Sequence, residues 1–286
     1  MTDIYDIQKN IEMLESQRHV SFTKRFPFFL KPVLETKRTL ISLQYMLNPK
    51  YKLEMNKDTK WNNITDHSSP LFRKFNTREL DLGKIENIKI AIQKIDGIVI
   101  EPGKIFSFWK HIGRPSTKRG FKKGLVLKSG TLEADIGGGL CQLSNLLAYM
   151  FACTECSFME RKHHSKDVFP DSNRTIPFAS GATVHFNLTD LKIKNTYPFS
   201  IRIHLWTTET QLKGTVSAPV NLPYKIKIRE KDHAFVRSKK TNRIYRYNEL
   251  ERVMYLKQTH KEIDSTPLWK NLAEVMYDTS QLHIQD

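Results

Sequence analysis

Three glycines run directly into an apolar stretch at Asp135-Ile136-Gly137-Gly138-Gly139-Leu140-Cys141-Gln142-Leu143-Ser144-Asn145-Leu146-Leu147-Ala148-Tyr149-Met150, and a cysteine stands two residues beyond the last glycine. The pattern predicts a helix that opens at the glycines and carries Cys141 in its first turn. N–H groups at a helix start lack intrahelical acceptors and carry a partial positive charge, which favours a thiolate. The thiolate is the nucleophilic form, so Cys141 is expected to have a lowered pKa and to react. The N–H groups of Gly138 and Gly139 are positioned to hold an oxyanion while a carbonyl is attacked. The bland alternative for Cys141 is a small buried residue filling a helix–sheet contact.

Further along, Glu160-Arg161-Lys162-His163-His164-Ser165 offers a general base where the chain is expected to return as a strand. Neighbouring residues on a strand face opposite ways, so only one of His163 and His164 can point at Cys141. Cys153-Thr154-Glu155-Cys156 is a single CxxC without a second pair; it reads as two ordinary thiols at the helix end, and no metal is expected. Gly113, Gly120 and Gly124 have neither the phosphate-loop spacing nor a dinucleotide fingerprint, so no cofactor is expected.

The chain has 286 residues, with 46 Lys+Arg against 30 Asp+Glu, a formal charge of +16. Such a field attracts polyanionic partners or surfaces. Between Lys225 and Arg246 nine Lys/Arg meet only Glu230 and Asp232. Without a helix-turn-helix, finger or RNP pattern, that strip alone does not indicate specific nucleic-acid binding. Three cysteines do not make a disulfide framework in a chain of this length, and reduced thiols are the default.

The elements that must position these residues follow from periodicity. Ile4, Ile7, Ile11 and Leu14 predict a helix over residues 3–18, and a second helical pattern runs from Leu34 to Leu47. Phe26, Phe28, Phe29 and Leu30 beside Lys24, Arg25 and Lys31 suit either a membrane surface or a helical hairpin packed on the main body. Asp66 to Pro70 reads as a turn-rich linker, with a boundary near residue 78. Ile88, Ile92 and Ile95 predict a helix ended at Gly97, then a strand at Ile98–Ile100, a turn at Pro102-Gly103 and a strand through Ile105, Phe106 and Phe108. Strands follow at Thr183–Phe186, Ile201–Leu205 and Tyr224–Ile228, and residues 248–277 read as mixed and partly helical. The expected class is α+β: a central helix with the cysteine at its N-terminus on a curved antiparallel sheet, preceded by helices. Three regions result: a helical 1–77, a core domain 78–210, and basic strands with a helical tail over 211–286.

At this point several separated motifs resemble the VanW family: Ile98-Val99-Ile100-Glu101-Pro102-Gly103-Lys104-Ile105-Phe106-Ser107-Phe108, Gly120-Phe121 to Gly124, the glycine–cysteine run, Glu160-Arg161, His163-His164-Ser165, Phe169-Pro170-Asp171, Gly181-Ala182-Thr183-Val184, and Asp190-Leu191 with Asn195. The resemblance covers roughly residues 86–206. It implies a link to vancomycin resistance and, as in some secreted VanW domains, cysteine-dependent L,D-transpeptidase chemistry on peptidoglycan stem peptides. Cys141 carries over as the nucleophile of the motif that also contains Gln142, and His164, standing before Ser165, matches its base. An aspartate that commonly precedes the Ala-Thr-Val strand is Gly181 here, which leaves Asp171 and Asp190 as the carboxylates that could orient the histidine.

Two functions are expected from this reading. The first is a thiol acyl transferase acting on peptidoglycan peptides or their anionic precursors. The second is a non-catalytic accessory protein in glycopeptide or envelope response. No run reaches the roughly 20 apolar residues of a spanning helix, and Met1 to Asn10 is polar and acidic, so the expected location is cytoplasmic, peripheral to the membrane at most.

Overall fold

A computed structural model describes residues 4–16, 30–55, 60–72, 77–128, 131–168, 170–171, 175–186 and 188–286. Among these, five helices alternate with strands. Helices α1 (Ile4–Ser16) and α2 (Leu30–Leu47) come first, followed by strands β1 (Glu54–Met55) and β2 (Asn62–Pro70). Helix α3 (Arg78–Ile95) starts where Thr77 accepts the Leu80 N–H and acids occupy the first turn. Its face of Ile85, Ile88, Ala91 and Ile95 is buried. Next come β3 (Ile98–Ile100), β4 (Ile105–Ser107), the short α4 (Phe108–Ile112), β5 (Lys123–Lys128) and β6 (Thr131–Ile136), which leads into α5 (Leu140–Ala152). The remaining elements are strands: β7 (Ser157–Glu160), β8 (Lys166–Asp167), β9 (Lys192–Lys194), β10 (Ile201–Thr207), β11 (Gln211–Ala218), β12 (Tyr224–Arg237), β13 (Ile244–Leu256), β14 (Glu262–Val275) and β15 (Ile284–Gln285).

The class is mixed α+β. One antiparallel sheet has the order β1-β3-β10-β11-β2, and α5 packs on β11 and β2. Leu143, Leu146, Leu147, Met150 and Phe151 of α5 join Ile201, Ile203, Leu205, Leu212 and Val216 of the sheet in the main core. Fully burying such side chains stabilises by about 1.5–3 kcal/mol each, which makes this contact the anchor of α5. A second sheet, β15-β12-β13-β14-β8, is an antiparallel meander with a parallel strand at each edge. Helix α1 covers part of it, with Ile7 and Ile11 against Val236, Tyr245 and Tyr247.

Several expectations are corrected. The stretch Asp66–Pro70 is not a linker but the end of β2, paired along β11 from Asn62↔Ala218 to Pro70↔Gln211. It is an edge strand of alternating exposure rich in Asn, Thr and Ser, so its polar residues mimic a loop. The helical tail is not found: residues 244–256 and 262–275 are long strands. At Tyr245–Asn248 four consecutive residues are buried, because the strand is covered on both faces there; that erases the period of two. Thr183 and His185 form isolated bridges rather than a strand, to Lys162 and Thr189. The strand through Ile105 stops at Ser107, whose side chain accepts the Lys110 N–H and caps α4. The first helix is described over 4–16; its expected ends at 3 and 17–18 lie, like Lys24 to Phe29, outside the described residues.

Candidate functional site

Hairpin β5–β6 delivers the chain to the glycine turn, which is clamped from beneath by α3. The Asn87 side chain donates to the carbonyls of Gly138 and Lys122, both at 2.9 Å, and accepts the Lys122 N–H at 2.7 Å. Gly138 lies against the backbone of Gly124, so closely that a Cβ there would stand 2.1 Å from the Gly124 carbonyl carbon. Gly139 has φ +96°, a left-handed conformation, and caps α5 without a side chain. The stem of Lys84 packs under it, while the Lys84 ammonium pairs with Asp81 at 2.8 Å and donates to the Leu71 carbonyl.

The turn uses some of its donors internally. The Gly137 N–H goes to Lys122 O, Gly138 to Asp135 O, Leu140 to Gly137 O and Gln142 to Gly139 O. Among the described residues the N–H groups of Gly139 and Cys141 find no acceptor.

Cys141 is half-buried, with Sγ 3.6 Å from the Val184 carbonyl, to which it donates, and 3.9 Å from Thr183 Oγ1. Burial pushes its thiol up, and the contacts with Val184 and Thr183 offset this in part. This desolvation works against the lowering expected from the helix start. Cys153 and Cys156 are free, buried and pushed up to about 11 by the same desolvation.

Helix α5 grips the segment that carries Thr183. Ser144 Oγ donates to Ala182 O at 2.6 Å, and Asn145 Oδ1 accepts the Ala182 N–H at 2.8 Å. Gln142 ties the helix to β2 by donating to Ser69 Oγ and Pro70 O. Asn145 also explains Gly181: a Cβ there would stand 2.2 Å from Asn145 Oδ1, so the site as built leaves no room for an aspartate.

The other singled-out residues are distributed as follows. His163 turns to the second sheet, donating through Nε2 to Leu272 O at 2.9 Å. His164 is half-buried beside it, and Ser165 is exposed, its carbonyl accepting the Glu274 N–H. Asp171 takes two bonds from Arg246, which also reaches Asp167. Asp190 is buried and accepts from Tyr45 OH, Ser107 Oγ and the N–H groups of Trp109 and Leu191. Both carboxylates thus serve other anchors. Much of the basic strip is paired as well: Arg229 with Glu251 and Glu262, Arg237 with Asp286, and Arg246 with Asp167 and Asp171.

Residues that sequence reasoning missed are Asp81, Lys84 and Asn87 under the turn; Arg161, which the sequence marks only as part of a motif, bonds to Gly181 O, Ala179 O and Asn271 over the Trp269 ring. A signal existed for the first three. They are polar residues interleaved with Ile85 and Ile88 on a buried helix face, where a polar side chain must have a partner.

Burial also pushes the imidazoles of His163 and His111 down to about 4. In the unfolded chain they titrate near about 6.5. The stability carried by their neutral forms is therefore complete above about pH 6.5 and is lost as pH falls toward about 4. Thermal unfolding is expected to show Tm falling through that window, and His163→Gln to flatten the fall. A Tm unchanged across it would contradict the burial of these rings.

A clamped glycine turn, a cysteine in the first helical turn and a gripped Ala-Thr-Val segment define the site, and sequence comparison gives the class. The family described as "VanW like protein" matches residues 83–217. The chain belongs to the VanW family. It is 30% identical over 194 residues to the "Vancomycin B-type resistance protein VanW" of Enterococcus faecalis, covering 68% of this chain and 70% of that protein. It is also 27% identical over 154 residues to the "Uncharacterized protein YoaR" of Bacillus subtilis, covering 49% of each. No solved structure matches.

Proposed function

We propose that the chain is a thiol-dependent acyl transferase of the L,D-transpeptidase type, acting on peptidoglycan peptides or their anionic precursors in glycopeptide resistance. The observation that carries this reading is the bridge between Lys162 and Thr183. Bridge partners project to one face, and the Thr183 hydroxyl on that face is the one beside the Cys141 sulfur. Alternation continued beyond that isolated bridge would bring His164, two residues past Lys162, to the side of Lys162 and Thr183, while His163 bonds to Leu272. The relative named for vancomycin resistance supports the substrate class.

In this reaction His164 takes the thiol proton and Sγ attacks the amide carbonyl. The N–H groups of Gly139 and Cys141 steady the oxyanion. The amine leaves with the proton from His164, and a thioester remains on Cys141. An acceptor amine, deprotonated by His164, then attacks the thioester and releases the thiolate. Gly138 serves by fixing the turn. Gln142 holds the first helical turn against β2.

A second reading is an accessory protein in which the motif is scaffold. The thiol's donation to Val184 O and its raised pKa favour it.

Alkylation with iodoacetamide near neutral pH separates the two. For the enzyme, Cys141 is modified first in the folded chain, His164→Ala slows it about tenfold through loss of the base that takes the thiol proton, and His163→Ala leaves it unchanged. Incubation with muropeptides gives an acyl adduct on Cys141 by mass spectrometry. Equal, slow modification of all three thiols with no adduct would leave the accessory reading.

A further inference from the structure

Helix α2 has two apolar faces. One is packed: Ile41 and Tyr45 lie against Tyr51 and Ile105, Tyr45 bonds to Asp190, and Arg38 covers the Phe186 ring. The other is bare. Val33, Leu40, Leu43 and Leu47 fall within about 80° of one another at 3.6 residues per turn, on the side away from Ile41 and Tyr45. They are 49%, 62%, 43% and 76% exposed, and Met46 at their border is 73% exposed. An uncovered row of leucines some four turns long is costly in water and indicates a partner.

Charge identifies that partner. From residue 31 to residue 52 the chain has Lys31, Lys37, Arg38, Lys50 and Lys52 against the single acid Glu35. Glu35 is itself held by Arg38 and by Arg114, which arrives from the loop after α4. Lys37 flanks the leucine row, and Lys50 and Lys52 stand exposed just past Leu47. A helix with an apolar stripe and a cationic rim has the pattern that lies in the interface of a bilayer, leucines among the acyl chains and cations at the headgroups. A second copy of this chain fits less well, since each copy carries +16 and repels the other.

We propose that α2 docks the protein on an anionic lipid surface through Val33, Leu40, Leu43 and Leu47, with Lys37, Lys50 and Lys52 at the headgroups. This is independent of the thiol chemistry, because none of these residues touches Cys141.

The full chain is mixed with vesicles of phosphatidylcholine alone or with added phosphatidylglycerol, and bound protein is sedimented. Binding is expected to the anionic vesicles, well above that to neutral ones, and to weaken with salt. Each leucine contributes roughly tenfold to partitioning, so the Leu40→Glu/Leu43→Glu/Leu47→Glu variant falls below detection. Its circular dichroism and Tm stay those of the parent, since the replaced side chains are exposed. The proposal is overturned if the variant binds like the parent, which would mean charge alone, or if neutral and anionic vesicles bind equally. It is also overturned if the parent ignores vesicles and sediments as a dimer that the same substitutions dissociate.

Discussion

Gly138→Ala is expected to lower the stability of the protein by about 3 kcal/mol or more. The atoms that an added Cβ would meet are the carbonyl carbon and oxygen of Gly124, at 2.1 and 2.2 Å. They belong to backbone and cannot swing aside like a side chain. Separating them pulls the glycine turn off hairpin β5–β6 and breaks the Asn87 clamp that spans Gly138 and Lys122. Urea unfolding measures the loss, with Gly103→Ala as the control. Gly103 also lies on a turn, at φ +74° with open space around it, so only its backbone strain of about 1 kcal/mol is felt. Equal effects at the two positions would show that the packing of Gly138 is not what secures the turn.

The second large effect is expected at Asp190. Asp190→Ala strands four buried donors, the hydroxyls of Tyr45 and Ser107 and the N–H groups of Trp109 and Leu191, at about 1–3 kcal/mol each before relaxation. A total of about 3–5 kcal/mol follows once local relaxation is allowed for. Asp190→Asn keeps one acceptor oxygen for the N–H groups of Trp109 and Leu191, and its amide faces hydroxyls that can rotate to accept, so the loss is about 1–2 kcal/mol. The ratio between the two substitutions, read from denaturant midpoints, reports the number of stranded donors. A carboxylate that only oriented His164 would instead change thiol alkylation and leave the midpoints alone.

How much of this was legible in the sequence depended on how many partners each residue required. Cys141 was visible because the glycines and the apolar run after them are local, and α5 starts where they end. The choice between His163 and His164 rested on alternation, which needs only neighbours; His163 bonds to Leu272, while the contacts of the Cys141 sulfur are with Thr183 and Val184. The desolvation that raises the Cys141 pKa was not legible, because the surroundings of its sulfur include Thr183 and Val184, some forty positions away. β2 was taken for a linker because its Asn, Thr and Ser residues suit an edge, and what makes it a strand is β11. In β13 the period was lost for the opposite reason: Tyr245 to Asn248 are buried one after another, α1 packing on Tyr245 and Tyr247, so no polar face marked that stretch.

The placement of β2 has a consequence for how the chain reaches its structure. β2 leaves the ribosome early, but its partner strand β11 follows only after the glycine turn, α5 and the Thr183 segment have been made. The ladder from Asn62 to Pro70 closes a very long loop, so it belongs to the high-contact-order, late-forming part of folding. Gln142 bonds to Ser69 and Pro70 at the end of that ladder. The cysteine-bearing turn is therefore fastened late, when an early-made strand meets a partner made about 140 residues later.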